Sequence, residues 1–370
     1  MKILLIGNYL HDRQESMLRF SALMERGLVE AGHEVRVCRP PALVGRLRVS
    51  EYGVGKWLGY VDKFAAFPAV LRLAARWAHV IHICDHSSAM YVRHLGRRPH
   101  VVTCHDVLGI RDALLHRTRW TGRQLQRMIL DGLARAQHVA CVSEATRAEL
   151  LRLTSLPASR VSRIYNGLNY PYSPMPQHEA ASRVRALGVE PEHPFVLHIG
   201  GNSWYKNREG VLRIFAALRQ RTGEGGAKLV MAGKPWTPAM KAFVSEARLE
   251  GAAMELGGVT NEDLRALYST ARIMLFPSLE EGFGWPILEA QACGCAVITS
   301  NRSPMNEVGG AAAVYVDPED TEGAAAVVAD ALRCADQRRK PSVQNALRFS
   351  TAEMLRAYLE LYRKVAHEYS

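Results

Sequence analysis

Short apolar runs alternate with stretches of helical periodicity along almost the whole chain. Lys2 to Ile6 reads as a strand. Ser16 to Ala31 follows with Met17, Phe20, Leu23, Met24 and Leu28 at helical spacing, Gly32-His33 turns the chain, and Glu34 to Cys38 is the next strand. A strand-helix-strand opening predicts a parallel, doubly wound sheet. His79 to Cys84, Val101 to Cys104, Val139 to Val142 and Val161 to Tyr165 continue the series, with Ser143 where a helix N-cap belongs. Tyr170-Pro171-Tyr172-Ser173-Pro174-Met175-Pro176 then interrupts it, because closely spaced prolines stop regular structure and stiffen the chain.

The alternation restarts after this linker. Phe195 to Ile199, Lys228 to Ala232, Ala253 to Leu256 and Ala313 to Val316 read as strands, and Arg208 to Arg219 as a helix. Thr260-x-x-Asp263 is a capping box for a helix from Leu264 to Ala271. Ser350-x-x-Glu353 caps a last helix with Met354, Tyr358, Leu361, Tyr362 and Val365 on one face. The expected organisation is one domain over residues 1–172, a second over 177–350, and a terminal helix over 351–370.

Two stretches break the pattern through charge. Residues 40–78 read as irregular and interleave Arg46, Arg48, Lys56, Lys63, Arg72 and Arg76 with Trp57, Tyr60, Phe64, Phe67 and Trp77. Arg111 to Arg135 reads as a helix with Arg111, Arg117, Arg119, Arg123, Arg127 and Arg135 against Asp112 and Asp131, and with Trp120 among its apolar residues. Each suits a packed amphipathic helix with a solvated face, and equally a peripheral contact with an anionic membrane.

Composition sharpens this picture. The 370 residues carry a net charge of +11, which calls for a basic face and anionic ligands. Charge alone also permits nucleic acid, but that reading leaves the carboxylates described below without a role, and no nucleic-acid partner is expected. No apolar run approaches the roughly 20 residues that span a bilayer. The apolar part of Met1 to Gly7 is too short for a signal peptide. Seven scattered cysteines without a paired CxxC read as reduced thiols, hence a cytoplasmic protein, peripheral at the inner membrane face if the basic stretches bind lipid. Cys293-Gly294-Cys295 reads as core, so no metal site and no cofactor are expected.

Leu275 to Ser300 carries the chemistry. An apolar strand ends at Pro277-Ser278. Gly282 and Gly284 let the backbone approach a ligand, and Pro286 suits the first turn of a short helix that Gly294 ends. A helix start suits phosphate. Glu281 and Glu289, eight positions apart, suit hydroxyl groups. A second loop, Gly200-Gly201-Asn202-Ser203-Trp204-Tyr205-Lys206-Asn207, joins a strand to a helix, and a glycine pair with a lysine makes a reasonable diphosphate cradle.

Glu281-Gly-Phe-Gly-x4-Glu289, preceded by Pro277-Ser278 and followed by the small residues Ala290 to Gly294, resembles the E-x7-E signature of family 4 retaining glycosyltransferases, the group 1 glycosyl transferases of GT-B fold. Val101-x-Thr103-x-His105-Asp106, Val142-Ser143-Glu144 and Asn166-Gly167 resemble landmarks of the same family. Three departures stand out. Gln14-Glu15-Ser16 replaces a common glycine pair, Asn169 an aspartate, and Asn202 an arginine, for which Arg208 could compensate.

The resemblance implies two Rossmann-like domains facing a cleft, with the last helix crossing back to the N-terminal domain. It implies a metal-independent, retaining hexosyltransferase that moves a sugar from a UDP- or GDP-linked donor to a glycan or lipid-linked acceptor in glycan, polysaccharide or glycolipid synthesis. Lys206 and the Pro286 helix start would hold the diphosphate, with Gly200, Gly201, Asn202, Arg208 and Ile287 lining the donor. Glu289 would take ribose hydroxyls, and the Val259 backbone the base. Glu281 and the backbone of Gly282, Phe283 and Gly284 would take the donor sugar, with His105 beside it. Asn8, Asp85 and His86 would serve the acceptor. The alternative of the same fold is a nucleotide-sugar 2-epimerase.

Overall fold

The computed structural model describes residues 1–12, 14–42, 61–115, 120–223 and 226–369. The chain divides into two compact units, Met1–Asn169 with Thr351–Ser370, and Tyr170–Ser350. Arg46, Arg48, Lys56, Trp57, Tyr60, Arg117 and Arg119 of the basic stretches lie outside the described residues, as does the Trp120 side chain.

The first unit is built on a parallel sheet of β1 (Lys2–Ile6), β2 (Glu34–Cys38), β3 (Val80–Ile83), β4 (His100–Cys104), β5 (His138–Cys141) and β6 (Val161–Arg163), in the order β2-β1-β3-β4-β5-β6. The second is built on β7 (Phe195–Gly200), β8 (Lys228–Gly233), β9 (Ala253–Leu256), β10 (Ile273–Phe276), β11 (Val297–Ser300) and β12 (Val314–Val316), in the order β12-β11-β10-β7-β8-β9. The Rossmann-like pair expected from the sequence is therefore present. Central strands such as Ile273-Met274-Leu275-Phe276 are buried throughout, as parallel strands covered on both faces require. Strand order reverses between β1 and β3 in one sheet and between β7 and β10 in the other. Open α/β sheets place ligands at the carboxyl ends of strands at such a reversal.

Most helices fall where the pattern puts them. Ser143 caps Glu144–Leu153 by accepting from the Thr146 amide, and the Thr260/Asp263 capping box is complete. Two expectations are corrected. Residues 62–74 are not irregular: a π-helical turn at Asp62–Ala66 runs into the α-helix Phe67–Ala74, held by Phe67 edge-on to Tyr91 at 4.8 Å. The single basic helix is two, Leu108–Leu114 and Trp120–Arg135.

The terminal helix Thr351–Glu368 belongs to the first unit and buries the face read from the sequence: Met354, Tyr358, Leu361, Tyr362 and Val365. Gly27 allows a close approach here, since a Cβ on it would lie 2.3 Å from Leu355 Cδ1. Tyrosine hydroxyls cannot be buried without partners, and strand histidines supply them. Tyr362 Oη lies 2.6 Å from His82 Nδ1, His82 Nε2 lies 2.7 Å from Thr103 Oγ1, and Thr103 Oγ1 lies 2.8 Å from Tyr358 Oη. The terminal helix is thus bonded to β3 and β4 through one fully buried chain.

Burial lowers the pKa of His82 to about 3, with the His105 charge adding to the effect, so the imidazole is neutral in the folded state. Two outcomes are expected. Tyr362→Phe leaves His82 without one partner and lowers unfolding free energy by about 1–3 kcal/mol, read from urea midpoints. His82 takes up a proton near pH 6.5 only when unfolded, so its contribution is complete above that value and is lost as pH falls towards 3, at about 1.4 kcal/mol per pH unit. His82→Gln should flatten the acid side of the stability profile, and an unchanged slope would contradict the neutral assignment.

Candidate functional site

In the second unit, the reversal point brings together the two loops singled out by sequence. After β7 the chain passes through Gly200 and Gly201 and makes a short 3-10 turn at Trp204–Lys206. Asn207 then adopts left-handed backbone (φ 52°) before the helix Arg208–Thr222. After β10 it passes Pro277 to Gly284 and enters the helix Trp285–Ala292, with Gly284 as a left-handed N-cap (φ 99°). Lys206 Nζ spans the two loops and donates to both oxygens of Glu281, at 2.7 and 2.9 Å. Its ammonium also lies over the Tyr205 and Phe276 rings, at 5.5 and 5.4 Å. The loops are stitched further by the Leu279 amide to Tyr205 O (2.7 Å) and by Asn207 Nδ2 to Pro277 O (3.0 Å) and Pro318 O (3.2 Å).

The other donor-side candidates divide into groups that present side chains and groups that present backbone. Glu289 lies one helical stretch beyond Glu281, is 6% exposed, and accepts from the Tyr268 hydroxyl at 2.9 Å. Phe283 and Ile287 are buried. Phe283 packs edge-on to Trp285 and Phe349 at 6.0 and 5.8 Å, so this loop is anchored by its side chain. Pro286 is in the first helical turn, and Val259 follows β9 beside Gly258 (φ 69°). Under the β7 loop, His198 Nδ1 donates to Leu275 O (3.0 Å), and burial lowers its pKa to about 3. A Cβ on Gly200 would lie 3.1 Å from His198 Nε2, so this glycine is a matter of space.

Asn202 and Arg208 go elsewhere. Arg208 Nη1 donates to Asn202 Oδ1 and to Lys234 O (2.7 Å) at the end of β8, while Asn202 Nδ2 donates to Pro235 O (2.8 Å). β8 and β10 are the opposite neighbours of β7. Lys206 and Arg208 therefore lean to opposite flanks of β7.

In the first unit, the acceptor-side candidates cluster at the β1/β3 reversal. Asn8 Nδ2 donates to Asp85 Oδ2 (2.5 Å) and to Gln14 Oε1 (2.5 Å). Asp85 Oδ1 accepts from the Ser87 amide (3.3 Å) and pairs with His86 Nδ1 (3.1 Å). Burial opposes both charges, but the pair prevails: His86 is pushed up to about 9, and Asp85 is held well below the usual carboxylate range. His105 Nε2 donates to Cys84 O (3.0 Å) beneath the edge of Phe20, and burial lowers its pKa. Next to them Tyr9 donates to the fully buried Asp62 (2.9 Å).

The pattern of the Glycosyl transferases group 1 family matches residues 182–348, and that of Glycosyltransferase Family 4 matches residues 19–170. The chain belongs to the family 4 glycosyltransferases. Among similar proteins, O-antigen chain mannosyltransferase B of Escherichia coli is 29% identical over 249 residues, covering 67% of this chain and 65% of that protein. The serotype-specific mannosyltransferase WbdA of Escherichia coli is 28% identical, and the match covers 63% of this chain and 29% of WbdA. The chain thus matches less than two thirds of the length of these relatives. Anabaena HepE, solved in complex with UDP and glucose, superposes with a TM-score of 0.75 at 17% identity, covering 98% of this chain and all of that one. That likeness shows the shared GT-B fold.

Family motifs pointed to both loops, but not to the residues that fix them. Gln14, noticed only as a departure from the family, is a partner of Asn8. Tyr268, which bonds Glu289, stands in a helix as an ordinary apolar-face residue, and its role depends on a contact 21 positions away. Asn207 carries a readable signal, since asparagine is among the few side chains that tolerate left-handed backbone at a helix start. Asn207→Gly and Asn207→Ala should both lower stability by losing two hydrogen bonds. The alanine variant should be worse by about 1 kcal/mol, because only glycine takes this backbone without strain. Equal melting of the two in differential scanning calorimetry would remove the strain argument.

Proposed function

We propose that the chain transfers a hexose from a UDP- or GDP-linked donor to an acceptor hydroxyl with retention of configuration, in the synthesis of a polysaccharide or related glycan. The observation that carries this reading is the Lys206–Glu281 pair, set across the β7/β10 reversal beside the start of the helix Trp285–Ala292. A fixed ammonium and the positive end of a helix are what a leaving nucleoside diphosphate needs. A carboxylate beside them is an acceptor for sugar hydroxyls. Glu289, held by Tyr268, takes ribose hydroxyls, and the main chain around Val259 takes the base. The named activities of the mannosyltransferase relatives support a hexose and an O-antigen-like acceptor as the first pair to test.

The chemistry needs little more than position and charge. The bond from the anomeric carbon to the diphosphate oxygen breaks as the acceptor oxygen approaches the same face. The acceptor proton passes to the departing phosphate oxygen, and the new glycosidic bond forms on the face that was vacated. Lys206 holds Glu281 through both carboxylate oxygens and brings its positive charge to the side of the diphosphate. Glu281 keeps the sugar in place through its hydroxyls while charge develops on the phosphate. The cationic charge comes from Lys206 and the helix terminus, so the reaction runs without a metal. In the first unit, His105 is assigned to a sugar hydroxyl, and Asn8, Asp85 and His86 to the acceptor.

A panel of UDP- and GDP-sugars, scored by thermal stabilisation and slow donor hydrolysis, tests the class. At least one donor should raise the melting temperature, and failure of all of them ends this reading. Glu289→Ala is expected to weaken nucleotide binding at least tenfold, and Tyr268→Phe severalfold. Glu281→Ala should act mainly on turnover, with nucleotide affinity close to wild type. Equal loss of nucleotide affinity in the Glu281 and Glu289 variants would contradict the assigned roles.

A further inference from the structure

We propose that the second unit carries a separate oxyanion pocket on the β8 flank, in which the guanidinium of Arg208 grips a phosphate or carboxylate. The starting observation is an incomplete set of hydrogen bonds. Arg208 is 4% exposed, and its Nη1 is engaged by Asn202 Oδ1 and Lys234 O. Its Nε and Nη2 are buried and have no partner among the described residues. An arginine keeps its charge in a protein, and buried arginines are almost always paired. Glu255 is the acid whose charge Arg208 feels, yet it is not within ion-pair distance, and its Oε2 accepts from the Trp236 amide at 2.5 Å. The charge therefore has no acid in contact and two of its donors are buried without a partner, at a cost that an anion would remove.

Which atoms are left over defines the ligand. Nε–H and the Nη2–H beside it form the parallel edge of the guanidinium, the edge that matches two oxygens of one carboxylate or phosphate. The remaining nitrogen is clamped to the protein, so the fork is already oriented. Beside it is a cavity of about 220 Å³, lined by Ser203, Trp204, Thr237 and Met240 and by Glu209 and Arg213, which pair with each other at 3.0 Å, between the starts of the helices Arg208–Thr222 and Pro238–Glu246. Two helix starts add positive potential to the same space. Trp204 is 50% exposed and offers a flat wall for whatever the anion is attached to. Lys206 turns the other way, to Glu281 on the β10 flank, so the two cations at this helix start point to opposite sides of β7.

The test is thermal melting of the purified chain in phosphate-free buffer and with millimolar inorganic phosphate, for wild type, Arg208→Met and Lys206→Ala. Phosphate should raise the melting temperature of wild type and Lys206→Ala, and the apparent affinity should fall at least tenfold in Arg208→Met. In phosphate-free buffer Arg208→Met should melt close to wild type, because the unpaired donors and charge it removes offset the two Nη1 hydrogen bonds it loses. If it melts lower and still responds to phosphate, Arg208 is structural and the proposal fails. Absence of any phosphate response in wild type also overturns it. Saturating UDP or GDP locates the anion: stabilisation by phosphate on top of nucleotide supports a separate pocket, whereas its disappearance assigns the fork to the donor diphosphate and sinks the proposal. The phosphate arms decide the matter whether or not a nucleotide sugar proves to be the substrate.

Discussion

The Lys206–Glu281 pair is the contact on which the second unit's site depends. Its two residues stand on loops that leave adjacent strands and go to opposite faces of the sheet, so nothing in the strand ladder fixes one loop against the other. The bidentate contact does so, and Asn207 reinforces it with its bonds to Pro277 O and Pro318 O. Shape here follows from a few local constraints. Left-handed Asn207 and Gly284 turn the chain into their helices, Phe283 roots one loop against Phe349, and Gly200 leaves room over His198. The backbone of both loops is thereby held in place by contacts within the protein itself.

The first unit depends on a different device. Its terminal helix is remote in sequence from the sheet it covers, and apolar packing alone would leave its rotation weakly specified. The chain from Tyr362 through His82 and Thr103 to Tyr358 adds to that packing, because rotating the helix would leave buried polar atoms without partners. Burial keeps His82 a neutral imidazole, with one nitrogen donating and the other accepting. A histidine in the middle of an apolar strand thus has a structural task, and its chemistry is spent on holding the fold.

The fold was legible because its signals are periodic and repeated. Apolar strands, amphipathic helices and the proline-rich break each specify local structure, and the order of elements then leaves few topologies. The loops bearing Glu281 and Lys206 were legible because short motifs concentrate there. What sequence left open depends on contacts between distant positions: Tyr268 against Glu289, Gln14 against Asn8, and the side of β7 to which Arg208 turns. Two residues apart, Lys206 and Arg208 look like one basic cluster, yet a helix start separates them, and rotation about the axis sends them to different flanks. The π-helical turn at Asp62–Ala66 was missed for a related reason: its buried aspartate is satisfied by Tyr9, which no periodicity announces.

Both reversal points end in the same motif of charge, a carboxylate held by a neighbouring cation, but the cations differ in kind. Glu281 is held by a lysine, whose ammonium donates to both carboxylate oxygens. Asp85 is held by His86, whose charge exists because the carboxylate is there; burial alone would have removed it. The first arrangement suits a partner whose negative charge grows during a reaction, since the cation is fixed in advance. The second is mutual: whatever withdraws Asp85 from His86 also returns the imidazole towards neutrality. The two units share a fold and the position of their polar clusters, but in the first the two charges of the cluster depend on each other.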